Sequence, residues 1–201
     1  ADVKVNTNTE KYVAWCWKES ADAGFDMVSY VGNHTSGRTV AHSLSAVPEY
    51  FIIKNMNSAE KPAVYHKGTD SGSPEDYVLI MSDGKQGFSK FGSYAGNANA
   101  DGPFVYTGFR PARIMIKNTN DASTWMIMDN KRSGYNPTNN RLYANTTGAE
   151  ESAVDRFDIL SNGFKVRTAD SDTNRSGDPF IYMAFAEAPF VNSSGVCCNA
   201  R

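Results

Sequence analysis

An internal repeat is the feature that most limits how this chain can fold. Residues 48–55 (PEYFIIKN) match residues 111–118 (PARIMIKN) without a gap, and residues 29–33 (SYVGN) match residues 93–97 (SYAGN). The matching blocks follow one another in the same order in both halves, so chance similarity is a poor explanation. Because similar blocks in a fixed order are typical of repeat-built proteins, we predict two related units within the 201 residues.

The two units differ at their ends. The second copy continues through residues 159–166 and 182–185, whereas the first copy has no such ending before the second begins. Residues 4–5 (KV) and 12–15 (YVAW) resemble the missing ending, but they stand at the front of the chain. We therefore predict a circular permutation in which these opening strands fill the gap in the first repeat, either within the chain or in a neighbouring subunit as a donated strand. The predicted division is residues 1–86 for repeat one (the strands of residues 1–18 completing it), residues 87–190 for repeat two and residues 191–201 for a C-terminal tail.

The secondary-structure signal is almost entirely β. Runs of aromatic and β-branched residues recur about every ten residues between clusters of Asn, Gly, Ser, Asp and Pro, which is typical of a sandwich or barrel. Residues 12–17 and 180–186 are apolar on both faces, as expected for central strands that are covered on both sides. We predict an all-β fold, an antiparallel β-sandwich of jelly-roll type built from two tandem, partly permuted repeats.

Composition and motifs argue against several function classes. Lys and Arg number 20 against 22 Asp and Glu, and this net charge of -2 is too balanced for a nucleic-acid-binding surface. No apolar run approaches the ~20 residues of a membrane helix, so we expect no membrane insertion. No nucleophile elbow, phosphate-binding loop or metal-ligand histidine spacing occurs, and we expect a protein that is not an enzyme and requires no cofactor.

One loop has the spacing of a cation site. Residues 170–178 place oxygen-bearing side chains at alternate positions, which is how a single loop wraps a hard cation such as Ca²⁺. The candidate ligands are Asp170, Asp172, Asn174 and Asp178. Against this hypothesis, Arg175 stands where the turn of an EF-hand needs glycine, and the alternative interpretation is a polar hairpin loop.

Surface recognition of a glycan is a second hypothesis. The chain has 10 Tyr, 3 Trp and 11 Phe, and two loops mix aromatic rings with hydrogen-bonding side chains. Tyr135, Asn136 and His34 lie in these loops, where they can stack on and hydrogen-bond a sugar. The alternative is that most aromatic rings fill the sandwich and that the loops are plain turns.

Several blocks together resemble a known family. They are residues 12–18 (YVAWCWK), 92–97 (GSYAGN), 102–111 (GPFVYTGFRP), 160–164 (LSNGF), 182–190 (YMAFAEAPF) and 194–201 (SGVCCNAR). They are similar to a repeat-built C-terminal domain found in virion proteins of tailed bacteriophages, notably marine ones. The resemblance covers nearly the whole chain.

The resemblance implies a structural protein at the surface of a phage particle. Its expected place is a tail fibre, a tail tip or another exposed appendage, as a homo-oligomer in contact with other virion proteins and with a host-surface glycan or receptor. The alternative is a self-assembling cementing or filament subunit that polymerises by β-strand donation and binds no receptor. The resemblance supplies no catalytic residues.

Overall fold

The computed structural model describes residues 12, 14, 16, 17, 19, 21, 23–55, 63–66, 78–82, 84–188, 190–191 and 197–198. Within them the fold is almost entirely β, as predicted. The first repeat contributes the strands β1 (Phe25–Val28), β2 (Tyr50–Lys54), β3 (Ala63–His66) and β4 (Val78–Ser82). They form one antiparallel sheet in the order β1-β4-β2-β3.

The second repeat supplies two further antiparallel sheets. Its strands are β5 (Ser89–Ala95), β6 (Phe104–Tyr106), β7 (Pro111–Asn118), β8 (Met126–Asp129), β9 (Leu142–Tyr143), β10 (Phe157–Leu160), β11 (Gly163–Val166) and β12 (Pro179–Ala186). The larger sheet has the order β5-β12-β7-β8-β9 and the smaller one the order β10-β11-β6. A helical turn, α1 (Ser171–Asn174), precedes β12, and the short strands β13 (Phe190–Val191) and β14 (Cys197–Cys198) pair with each other. Across the described ranges, no helix is long and apolar enough to span a bilayer.

The two repeats have equivalent sheets. In the first, Ile52 of β2 pairs with Ile80 of β4; in the second, Met115 of β7 pairs with Met183 of β12. Ile52 and Met115 occupy the same position in the matching sequence blocks. β4 therefore holds, between β1 and β2, the place that β12 holds between β5 and β7.

In the first sheet, β4 (VLIMS) lies between β1 and β2 and pairs with both of them. Most of residues 1–18 lies outside the described part of the chain, so their own pairing stays a prediction.

A sandwich core fills the space between the two sheets of the second repeat. It joins side chains of β7, β8 and β12 to side chains of β6, β10 and β11. Phe164 of β11 lies at its centre, fully buried, with edge-to-face contacts to Phe157, Tyr94 and Tyr182. Such offset aromatic pairs stabilise a core beyond the area they bury.

A second core joins the two repeats. The opposite face of the larger sheet presents Phe91, Met115 and Met183, which pack with Tyr50 of β2. The chain therefore forms three β-layers, and β12 is buried on both faces between the outer two. This confirms the predicted central strand at residues 180–186.

A buried cation lies in the layer between the repeats. Arg113 is 8% exposed, and its guanidinium carbon lies 5.0 Å from the ring centroid of Trp17. Burial lowers the pKa of Arg113 to about 10, and the proximity of Tyr50 and Asp129 acts in the opposite direction. Arg113 thus ties the N-terminal Trp17 to the sheet of the second repeat.

Removal of the Phe91 ring tests the inter-repeat core. Phe91 is 2% exposed, stacks on Tyr50 at 5.7 Å and meets Phe185 edge-to-face at 6.1 Å. We expect Phe91→Ala to lower the free energy of unfolding by about 3–5 kcal/mol, because it leaves a cavity between two layers. Urea unfolding followed by Trp fluorescence measures the loss. Val47→Ala, at a side chain 84% exposed, is the control, and an equal small change in both variants contradicts the shared core.

Candidate functional site

The loop of residues 170–178 does not stay open as a cation-binding loop does. Residues 171–174 form the helical turn α1, and the Asp170 side chain caps it by accepting a hydrogen bond from the backbone N–H of Asp172 at 2.8 Å. Aspartate is among the preferred N-cap residues because its side chain accepts a hydrogen bond from a backbone N–H group that has no partner within the helix.

Asn174 is the centre of this loop and is fully buried. Its Oδ1 accepts a hydrogen bond from the Asn97 backbone N–H at 2.7 Å, and its Nδ2 donates to Asn97 Oδ1 at 2.9 Å. Nδ2 also lies 2.8 Å from the carbonyl oxygens of Asn99 and Thr168. The side chain therefore clamps the turn that the repeated block SYAGN forms.

The same turn fits the loop sterically. A Cβ atom at Gly96 would overlap the carbonyl oxygen of Arg175, and the Tyr94 hydroxyl donates to the Thr173 carbonyl at 2.8 Å. Glycine is required at position 96 because the two backbones touch.

The carboxylates of the loop already have protein partners, which are cationic for Asp170 and Asp172 and amides for Asp178. Asp170 pairs with Arg156 at 3.1 Å, and Asp172 pairs with Arg141 at 3.1 Å. Asp178 accepts hydrogen bonds from the Asn118 and Asn120 amides at 2.8 and 3.2 Å.

The geometry gives no support to the calcium prediction at Asp170, Asp172, Asn174 and Asp178. Alternate spacing presents oxygens to one ion only when the loop wraps around that ion, whereas here a helical turn intervenes and the oxygens accept protein hydrogen bonds. Among the described residues, no group of three His, Cys, Asp or Glu side chains is placed to hold a metal ion. Calcium binding stays a prediction. The observed contacts show that the loop holds the turn at residues 97–99 in place.

Asn174→Asp tests the clamp. The substitution keeps the shape but replaces the donating amide with an oxygen facing Asn97 Oδ1 and two carbonyls. We expect a loss of about 2–4 kcal/mol in the free energy of unfolding, because buried acceptors lose their donor. Differential scanning calorimetry with and without millimolar CaCl₂ measures it, with Asp172→Ala as the control. A rise in melting temperature with calcium that Asp172→Ala abolishes would restore the metal hypothesis.

Tyr135 lies in the loop of residues 130–141 between β8 and β9, here named the Tyr135 loop, and is 80% exposed. Its neighbour Asn136 turns inward: its Nδ2 donates to the Ile159 carbonyl and its Oδ1 accepts from the Ile159 N–H, both at 2.9 Å. Asn136 therefore braces the loop against β10, and its side-chain amide is occupied by backbone.

The other end of the Tyr135 loop is fixed by Asp129, which is 2% exposed. Asp129 Oδ1 accepts the backbone N–H groups of Lys131 and Arg132, both at 2.9 Å, and its Oδ2 accepts Arg132 Nε at 2.7 Å. Arg132 also contacts Glu150 at 2.5 Å. These residues were not predicted, although the Asp129-Asn130 pair at the end of a strand is a turn signal, because such side chains hydrogen-bond the backbone two residues further on.

His34 lies apart from Tyr135 in the chain. It is exposed, has a φ of 54° and belongs to the segment that follows β1 in the first repeat. Of the three predicted glycan contacts, Tyr135 is exposed to solvent, and the Asn136 side chain hydrogen-bonds the backbone of Ile159. His34 lies in the other repeat.

Acid sensitivity tests the role of Asp129. Burial acts to raise its pKa, but hydrogen bonds from Arg132 and Lys131 outweigh burial and lower the pKa below 3.8. Ionised Asp129 therefore stabilises the fold above its unfolded pKa, and this contribution is lost as the pH falls through the lower folded pKa.

We expect Asp129→Asn to reduce stability at neutral pH by about 1–3 kcal/mol and to flatten part of the decline below about pH 4. Urea unfolding at a series of pH values measures both effects. Asp158→Asn, at a partly exposed aspartate of β10, is the control, and parallel pH curves for Asp129→Asn and the native chain would contradict this role.

Comparison with known proteins gives a family. A model described as a domain of unknown function, DUF7483, matches the chain over residues 1–84 and again over residues 70–189. No curated protein and no solved structure matches the chain. The two matches fit the tandem repeat that the sequence predicts and overlap around β4. Since they together span most of the sequence, the chain belongs to the DUF7483 family.

Proposed function

We propose that this protein is a non-enzymatic structural component of a phage particle, exposed on a tail fibre, tail tip or similar appendage, where the Tyr135 loop contacts a glycan on the host surface. The placement on a virion rests on the sequence resemblance. The contact rests on one observation, the exposure of Tyr135 on a loop that is fixed at both ends.

The fixed loop favours binding for a physical reason. Asn136 holds one side of Tyr135 through two hydrogen bonds to Ile159, and Asp129 holds the base of the loop. A ring carried on a fixed backbone loses less conformational freedom on binding than a ring carried on a mobile loop. Tyrosine combines an apolar face with a hydroxyl, which suits the mixed surface of a sugar.

The alternative, a cementing subunit that assembles by strand donation, is disfavoured at one sheet edge. β6 is the edge strand of the smaller sheet, and the carbonyl of Tyr106 on it accepts a hydrogen bond from Lys90 Nζ at 2.9 Å. A lysine over an edge strand opposes the addition of another strand.

Binding of the 201-residue chain to host-envelope polysaccharide tests the proposal. We expect Tyr135→Ala to weaken binding about tenfold, because the stacking surface is removed, and Tyr135→Phe to retain most of it. Surface plasmon resonance on immobilised polysaccharide measures the affinities, and Val47→Ala is the exposed apolar control.

Three other results overturn parts of the proposal. Release of reducing ends from the polysaccharide overturns the non-enzymatic assignment. Concentration-dependent assembly in analytical ultracentrifugation without any glycan binding favours the cementing subunit. Equal affinities of the native chain and Tyr135→Ala remove Tyr135 from the contact.

A further inference from the structure

A cleft lies where the two repeats meet. Its volume is about 320 Å³, and its walls include Glu49 from just before β2, Lys90 and Phe91 from β5, and Tyr106 from β6. This volume is at the lower end of the range of about 300–1,000 Å³ that is usual for small-molecule sites. It suits a single sugar ring better than a dinucleotide or an extended chain.

We infer that this cleft binds one pyranose unit of a neutral glycan, stacked on Tyr106 and hydrogen-bonded to Glu49 and Lys90. The ligand class rests on the proposed function, but the site is distinct from Tyr135. Four features of the cleft carry the inference.

The first feature is the ring. Tyr106 is 55% exposed although its neighbour in the strand, Val105, is buried. Side chains alternate along a strand, so Tyr106 faces outward while Val105 enters the sandwich core. A half-exposed ring offers the C–H face of a sugar an apolar surface.

The second feature is the position of Lys90. Its Nζ donates to the carbonyl of Tyr106 at 2.9 Å and lies 5.0 Å from the centroid of the same ring. One hydrogen bond holds the ammonium over one face of the ring, so a sugar would stack on the opposite face. Since an ammonium has three donors, two remain to meet sugar hydroxyls.

The third feature is the carboxylate of Glu49. A Cβ atom added to Gly84 would lie 2.7 Å from Glu49 Oε2. Glu49 Oε2 can therefore occupy its position in the cleft only because residue 84 has no side chain. Burial raises the pKa of Tyr182 to about 12, and the negative charge of Glu49 adds to the rise. A carboxylate has two oxygens with about four lone-pair sites, so Glu49 can accept a sugar hydroxyl in addition to its protein contacts.

The fourth feature is charge balance. The lining contains one acidic side chain, Glu49, and one basic side chain, Lys90. Phosphate sites favour several cationic donors and cation sites several carboxylates, so this pair favours neither ligand. A neutral polyhydroxyl ring matches a site that offers an aromatic face, donors and acceptors together.

Saturation-transfer-difference NMR on the 201-residue protein tests the inference. The ligands are the methyl glycosides of glucose, galactose, mannose and N-acetylglucosamine, with methyl glucuronide as the acidic comparison. We expect at least one neutral glycoside to bind and methyl glucuronide to bind more weakly, because Glu49 offsets the charge of Lys90 and the cleft does not compensate the lost hydration of a further carboxylate. Tyr106→Ala should weaken binding about tenfold, whereas Tyr106→Phe should retain it.

Two further variants separate binding from folding. In Gly84→Ala the new methyl group displaces the Glu49 carboxylate, the end of a flexible side chain, so we expect weaker binding with an unchanged melting temperature. Phe104→Ala is the matched control, because Phe104 is an exposed aromatic residue on the same strand but outside the cleft lining.

Each outcome decides a separate point. Absence of any glycoside signal with the native protein overturns the cleft inference, while polysaccharide binding that depends on Tyr135 leaves the proposed function standing. Signals that Tyr135→Ala abolishes and Tyr106→Ala leaves intact also overturn it. Signals that depend on Tyr106 and Gly84 support it, even if the Tyr135 contact fails.

Discussion

The architecture depends on the pairing of β12 with β5 and β7 at the centre of the larger sheet. Phe180, Tyr182 and Ala184 point into the sandwich core, while Met183 and Phe185 point into the core between the repeats. Because successive side chains of a strand alternate between faces, one strand supplies both cores. The two repeats are therefore joined by packing as well as by the covalent chain, and a loss of β12 would open both cores at once.

The sequence predicted the features that depend on short stretches of neighbouring residues. The repeat blocks predicted two related sheets, and the two-sided apolar run of residues 180–186 predicted a buried central strand, which the structure confirms. The clamp of Asn174 could not be predicted in this way. An oxygen-rich loop has the same local pattern whether it meets an ion or a guanidinium, and Arg141 and Arg156 come from elsewhere in the sequence.

The cleft escaped sequence reasoning for a related reason. Glu49, Lys90 and Tyr106 come from three separate segments, and only the three-dimensional arrangement of the repeats brings them together. The place of β4 is another non-local outcome, since nothing in its own residues indicates that it enters between β1 and β2. Pairing between strands that are distant in the sequence was thus the part of the fold that local periodicity could not predict.

Asn97 and Asn174 are 77 positions apart in the chain, yet each side chain completes the hydrogen bonds of the other. A contact of this kind joins segments that are synthesised far apart in time, and closing so long a loop is entropically slow. On a ribosome, the turn at residue 97 must wait for nearly the entire second repeat to emerge before its partner arrives. A segment made late in the second repeat therefore completes the turn that follows β5, and a chain terminated before residue 174 would leave that turn without its clamp.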